Sequence, residues 1–273
     1  VRFFQRWTFQ SDLGMYAPGL GFCQPKNSNL NEELGQINHL FSDKTGTLTE
    51  NKMKFVKVSA RGEIYDVTSN KNDIKEKISE SIPLKEIMSC IVLCHSVILT
   101  ADGYSSESPD EEALVTYSAE IGAKLIDRVP DESMTVELGG IKSEFQHLAT
   151  VDFDSDRKRM TTVVRAPNGQ IVVYTKGADS VMFNLFSKME DKNVIDLIQT
   201  QVDGWASQGL RTLVCGWRLM SEEEWKSFSQ KLHEASLEMV NREEKMKEVG
   251  ATIEKDLVVL GALAIEDELQ PDV

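Results

Sequence analysis

The sequence predicts an α+β domain with a mainly antiparallel sheet and flanking helices, inserted into an incomplete α/β piece. Three observations predict it. First, Ile37, Leu40 and Phe41 read as a short buried strand that ends at Asp43 and the tight loop Lys44-Thr45-Gly46-Thr47, the strand-then-loop order of an α/β sheet. Second, the apolar run from Leu257 to Ile265 reads as another strand of that same sheet, reached only after residues 55–255. Such a detour is tolerated, because loop-closure entropy grows slowly with length. Third, periodicity inside the insertion switches repeatedly between helix and strand, and Met160–Val164 and Gln170–Tyr174 flank Ala166-Pro-Asn-Gly169 as a hairpin. The boundaries follow as 1–35 for a leading segment, 36–54 for the first part of the α/β piece, 55–255 for the insertion and 256–273 for the return.

Taken in chain order, Pro83 to Leu99 reads as a mostly buried helix with Ile87, Ile91, Cys94 and Ile98 along one face. Ser108-Pro-Asp-Glu111 has the form of a capping box, with Ser108 at the cap, Pro109 at the first helical position and Glu111 at the third. It launches a helix through Ile121 that Gly122 ends. After the hairpin, Val194 to Ser207 reads as helix and Leu210 to Trp217 as a core strand. A longer amphipathic helix starts at Ser221, with Glu224 completing a second capping box and Met220 stapled to Trp225. Glu222-Glu223-Glu224 is a solvated first turn facing the positive helix end, and Glu243 and Lys247 have i,i+4 spacing.

Composition bounds the function. With 41% hydrophobic residues in 273, the chain has enough apolar mass for a real core. A net charge of −14 argues against general nucleic-acid or anionic-membrane binding, while leaving room for a local basic pocket. Cys23, Cys90, Cys94 and Cys215 lack disulfide spacing and fit a reducing compartment. Cys90, Cys94 and His95 invite a zinc reading, but a fourth ligand is not apparent and a core helix explains them more economically. The runs Leu257–Ile265 and Ile87–Leu99 are too short to cross a bilayer, and no targeting pattern opens the chain.

Asp43 is where chemistry is expected. A carboxylate exposed at a strand end can attack the terminal phosphorus of ATP, with Lys44 neutralising transferred charge and threonine hydroxyls or amides holding the oxygens. Its phrase, Asp43-Lys-Thr-Gly-Thr47, occurs with Asn31-Glu-Glu-Leu-Gly-Gln-Ile37, Ser108-Pro-Asp-Glu111, Phe153-Asp-Ser-Asp-Arg-Lys-Arg-Met160, Tyr174-Thr-Lys-Gly-Ala-Asp179, Gly209-Leu-Arg-Thr-Leu213 and Ala264-Ile-Glu-Asp267. In these phrases, spread over nearly the whole chain, the sequence resembles the phosphoaspartate-forming P-type ATPases, and more narrowly the type-4 lipid flippases.

The resemblance implies a nucleotide-binding domain inserted into a haloacid-dehalogenase-like phosphorylation domain, with ATP and Mg²⁺ as cofactors. Asp43, Lys44 and Thr45 would be catalytic, and Asp43 with the Thr45 carbonyl would face Mg²⁺ in the oxygen-rich setting it prefers. Related hydrolases place an acid-base aspartate where Thr45 stands, so hydrolysis of the aspartyl phosphate is expected to be slow. Motif matching makes Phe153 an adenine-stacking ring, with Ser155 and Lys158 reaching from the same turn. Lys176 and Gly177 would lie near adenine or the α-phosphate, Arg211 and Thr212 near the polyphosphate, and Glu111 at the adenine amino group. Each has a structural alternative: a core phenylalanine, a surface lysine, a helix-capping glutamate, arginines paired with acids.

The same resemblance implies a cytosol-facing region of a multi-pass protein of secretory, endosomal or plasma membranes. Val1 to Gln5 would belong to the exit of a transmembrane helix, with their aromatics poorly anchored. A phospholipid would be moved by an absent membrane domain, a small two-span accessory subunit is a common partner, and no nucleic acid is expected. The chain carries none of the later Thr-Gly-Asp, Gly-Asp-Gly-x-x-Asn-Asp or Asp-Gly-Glu motifs, so nucleotide binding without turnover is expected. Glu268 stands where the family phrase has lysine, and Leu263 where threonine is frequent. The alternatives are an ion-transporting P-type ATPase, disfavoured by the Ser108 and Phe153 phrases, and a silent nucleotide-sensing or assembly module.

Overall fold

A computed structural model describes residues 2–26, 35–44, 46–69, 71–101, 103–238 and 241–271. The chain forms two compact units, Val1–Leu48 and Thr49–Val273. In the first, helix α1 (Arg2–Ser11) is followed by a single 3₁₀ turn, Leu13–Met15, whose Gly14 N–H donates to Asp12 Oδ1 at 2.8 Å. Phe3, Phe4 and Trp7 of α1 are exposed. Residues 36–42, expected as a buried strand, form no strand, and Phe41 is 93% exposed. A strand needs a neighbour for its backbone N–H and C=O groups, and no strand among the described residues pairs with this one.

In the second unit, alternation of apolar and polar residues and a series of tight turns build a nine-stranded antiparallel sheet. Its strands are β1 (Thr49–Ala60), β2 (Glu63–Asp66), β5 (Ala123–Val129), β6 (Ser133–Leu138), β7 (Ile141–Asp154), β8 (Arg159–Arg165), β9 (Ile171–Gly177), β10 (Arg211–Met220) and β11 (Val258–Leu269). The order across the sheet is β2-β1-β11-β10-β9-β8-β7-β6-β5. A small hairpin, β3 (Ile98–Thr100) and β4 (Gly103–Ser105), stands apart from it. The β8–β9 turn forms as its sequence predicts, with Ala166 N–H donating to Gln170 O and Gly169 N–H to Ala166 O, both at 2.8 Å.

The last strand corrects an expectation. Residues Leu257 to Ile265, expected as a strand of the same sheet as residues 36–42, instead belong to β11, which runs antiparallel between β1 and β10, pairing Ala60 with Gly261 and Leu213 with Leu263. An all-apolar strand needs cover on both faces, and here helices provide it. One face of the sheet holds α2 (Lys71–Glu80), α3 (Ile82–Leu93) and α4 (Pro109–Glu120) over a core that includes Phe55, Leu84, Ile91, Leu114 and Leu263. A second core gathers α5 (Asp179–Met182) and α6 (Lys192–Ser207) around Ile198, Val202, Trp205, Val259 and Ala262. A third joins α7 (Glu222–Ser236) and α8 (Arg242–Ala251) to Val151, Val163 and Val173.

Helix ends follow the sequence where local chemistry decides. Ser108 and Ser221 cap α4 and α7, accepting from Glu111 N–H at 3.5 Å and Glu224 N–H at 3.1 Å. Met220 and Trp225 share the third core. The return halves of both capping boxes are absent, because Glu224 turns to Arg218 and Glu111 turns into the cleft described below. Lys247 likewise pairs with Asp154 rather than its helical neighbour Glu243. Helix α3 stops at Leu93 instead of running to Leu99, and Ile98 is exposed in β3. The competing structure is the His95–Val97 corner, where Val97 N–H donates to His95 Nδ1 at 3.0 Å.

Candidate functional site

A cleft of about 550 Å³ opens where the C-terminal end of α3, the N-terminus of α4 and the ends of β7 to β10 converge. Its lining includes Ser96, Asp110, Glu111, Phe153, Lys176 and Gly177, with Met160 and Leu213 as apolar wall. Glu111 and Lys176 are buried, with Lys176 Nζ 3.0 Å from Glu111 Oε1. Glu111 Oε2 accepts from Ser96 N–H at 2.8 Å and from Ser96 Oγ at 2.5 Å. Beyond the ion pair, the Lys176 ammonium has no hydrogen-bond acceptor among the described residues. A buried donor group without acceptors costs free energy, and a ligand bearing acceptors would relieve it.

Electrostatics keep this pair charged. Burial alone would raise the Glu111 carboxyl, but the Lys176 ammonium and the Ser96 donors outweigh it and hold it at about 2. Burial alone would lower Lys176, and the Glu111 carboxylate overcomes that, leaving the ammonium above its ordinary value. Behind them, His95 is lowered to about 3, first by burial and then by Lys176 and Arg128. It is therefore neutral, with Nε2–H donating to Val92 O at 3.0 Å and Nδ1 accepting from Val97. Arg128 Nη1 donates to His95 O at 3.1 Å and Val97 O at 3.0 Å, so the corner that presents Ser96 to Glu111 is held from two sides.

At the rim, Phe153 is 62% exposed although it lies in a strand beside buried Val151. An exposed ring over a cleft that ends in an acceptor-only carboxylate and an ammonium suits a planar, heteroaromatic ligand with an amino edge. Gly177 is required for packing as well: a Cβ there would fall 2.5 Å from Arg159 Cβ and 2.6 Å from Lys158 O. Close approach of β8 and β9 at the cleft thus depends on this glycine.

Residues 83–272 match the family described as P-type ATPase, cytoplasmic domain N. The chain belongs to that family. Among similar curated proteins are Phospholipid-transporting ATPase DRS2 of Saccharomyces cerevisiae, 35% identical over 100% of this chain and 22% of its own length, and Phospholipid-transporting ATPase FetA of Mus musculus, 34% identical over 94% and 25%. Phospholipid-transporting ATPase IC of Xenopus tropicalis is 35% identical over 100% and 24%. The chain therefore spans a quarter or less of the length of these relatives. The α+β fold with its antiparallel sheet is the one expected from the resemblance, and this N domain is homologous to those of phospholipid-transporting ATPases.

Of the residues singled out in the sequence, the N domain brings Glu111, Phe153, Lys176 and Gly177 into one cleft. Ser155 and Lys158 lie in the following turn, outside the lining, and Lys158 has a φ of 53°. Thr212 pairs with Ala264 in the sheet. Arg211 lies beside the cleft, its Nη1 3.2 Å from both carboxylate oxygens of the lining residue Asp110 and its Nη2 3.9 Å from Asp267. Asp43 and Lys44 belong to Val1–Leu48, and Thr45 lies outside the described residues. Asp43 is exposed, with Oδ1 accepting from Lys44 N–H at 2.7 Å. For Mg²⁺, that leaves one carboxylate; among the described residues no group of three or more His, Cys, Asp or Glu side chains could hold a metal.

Ser96 and Asp110 are the site residues sequence reasoning missed. Ser96 falls inside the stretch expected as helix, where a backbone N–H bonds within the helix and not to a distant side chain. Asp110 did carry a signal, standing beside Glu111 in the first turn of α4, where a carboxylate faces the positive helix end.

Proposed function

We propose that this chain is the ATP-binding cytosolic portion of a phospholipid flippase. The observation that carries the reading is the buried Glu111–Lys176 pair, with unsatisfied ammonium donors, in a cleft rimmed by the exposed ring of Phe153. Phe153 stacks on adenine, Glu111 accepts from its amino group, and Lys176 donates to ring nitrogen or α-phosphate oxygen. Arg211, released from Asp110, reaches the polyphosphate, with Thr212, Ser155 and Lys158 at the periphery. Similarity to phospholipid-transporting ATPases supports the choice of branch.

In the whole protein, Asp43 attacks the γ-phosphorus of ATP, the bond to the β-γ bridging oxygen breaks, and ADP leaves an aspartyl phosphate behind. Lys44 offsets the charge that develops on the transferred group. A single carboxylate plus phosphate oxygens is a usual way to hold Mg²⁺, and Asp43 with the Thr45 carbonyl would supply the protein side of it. The phosphorylated and free states bias two arrangements of a membrane domain that carries the lipid, in company with a small two-span accessory subunit. Lipid selection is assigned to that membrane domain; among the described residues no helix is long and apolar enough to cross a membrane.

Titration calorimetry of the chain with ATP, ADP and AMP tests the reading. Comparable affinities place most of the binding energy on the adenosine contacts of this cleft. Folded protein that binds none of the three would remove the basis for it.

A further inference from the structure

One buried charge lies outside the cleft and has no part in the reading above. Glu254, in the connection between α8 and β11, is 2% exposed and lies among β7, β8 and β9. Its carboxylate accepts from Arg157 Nη2, from Arg159 Nε at 2.5 Å and from Thr161 Oγ1 at 2.7 Å, and Thr161 Oγ1 is 3.0 Å from Thr175 Oγ1. Arg157 comes from the turn between β7 and β8, and Arg159 is the first residue of β8. Arg157 Nη1 donates to Asp152 O at 3.3 Å, the carbonyl that immediately precedes Phe153, and Arg159 Nη1 donates to Arg157 O at 3.1 Å. Within the turn, Asp154 Oδ1 accepts from Asp156 N–H at 2.9 Å and Arg157 N–H at 3.0 Å.

A buried carboxylate is tolerated only when paired and fully hydrogen-bonded. Here the pairing does more than neutralise: it ties a turn with a left-handed residue, Lys158, to the body of the sheet. Both arginines are thereby turned toward Glu254. We infer that Glu254 is a positioning residue for nucleotide recognition, which acts through Arg157 and the Asp152 carbonyl to fix the ring of Phe153 at the cleft rim. The inference rests on the nucleotide reading of that cleft. Its chemistry is preorganisation: an aromatic held in its bound orientation loses less entropy when the base stacks on it.

A double-mutant cycle reads this directly. In the 273-residue chain, Glu254→Gln is expected to weaken ADP binding about tenfold, as is Phe153→Ala, while the combined variant binds no more weakly than Phe153→Ala alone. Fluorine-labelled phenylalanine at position 153 supplies a signature that general destabilisation would not move: in Glu254→Gln at a temperature where the protein is folded, its resonance broadens and its shift on adding ADP shrinks. Should Glu254→Gln fail to fold, Arg157→Lys, which keeps a cation beside Glu254 but cannot span to Asp152 O, takes its place in the same cycle. Additive losses, or an unchanged fluorine signal, overturn the positioning role while leaving the nucleotide reading intact. An unmodified chain that binds no ADP overturns both.

Discussion

Of the two roles the sequence offers Glu111, the reciprocal bond of a capping box is one its side chain does not take up. Ser108 caps α4 without its help, so Glu111 is free to accept from Ser96 and face Lys176. Removing one member of a buried pair strands the other, at about 3 kcal/mol, whereas replacing both by apolar groups is often nearly neutral. Glu111→Gln is therefore expected to lower stability by about 3 kcal/mol in urea unfolding, and adding Lys176→Met to restore most of it. Nucleotide binding should stay lost in the double variant; recovery of affinity along with stability would show that the pair serves folding alone. His95 gives a second test. Its unfolded form takes a proton near its ordinary value of 6.5 and its folded form only near 3, so the unfolded state binds the extra proton between those limits. Stability then falls as pH drops through that window, by about 1.4 kcal/mol per pH unit from this residue, and His95→Gln should flatten the urea-midpoint profile by that amount. Glu111 adds a separate loss only between its ordinary 4.5 and about 2, because its stabilisation is complete above that range.

At the scale of elements, β11 is both the main surprise and the clearest constraint. Gly261 has a φ of 147°, and a Cβ there would fall 1.7 Å from Ser59 O in β1. Gly261→Ala must move a backbone carbonyl of the neighbouring strand β1, so a loss of about 3 kcal/mol or more is expected by thermal or urea unfolding. A change below about 0.5 kcal/mol, the range of ordinary surface substitutions, would contradict the close approach of the two strands. The contrast with the β8–β9 hairpin explains what the sequence made legible. Ala166-Pro-Asn-Gly169 specifies its own turn, and Ser108 and Ser221 specify their own caps, all within four residues. The partners of β11 lie some fifty residues before it in β10 and two hundred before it in β1, and an apolar run carries no mark of parallel or antiparallel pairing. The end of α3 was hidden for a related reason: apolar spacing continues through Cys94 and Ile98, and the His95 side chain that breaks the helix pattern does so by bonding to Val97.

For the whole molecule, placement of the site within one unit makes a separable prediction. Every residue that lines the cleft lies in Thr49–Val273, while Asp43 lies in Val1–Leu48. The motifs at Glu111, Phe153 and Lys176 were legible because each is a short phrase, but their meeting required the sheet to bring β7, β9 and α4 to one end. Asp43 needed the opposite correction, since its surrounding apolar residues are exposed rather than strand-forming. Ligand that binds only the folded state stabilises by RT ln(1 + [L]/Kd), about 2.7 kcal/mol at a hundredfold excess over Kd. ADP at that excess should stabilise the unmodified chain and Asp43→Asn equally in thermal unfolding. On the proposed reading, phosphate release from ATP should be equally negligible in both. A smaller shift in Asp43→Asn would place Asp43 in nucleotide binding by this chain, and phosphate release that disappears in Asp43→Asn would show that the chain completes the reaction by itself.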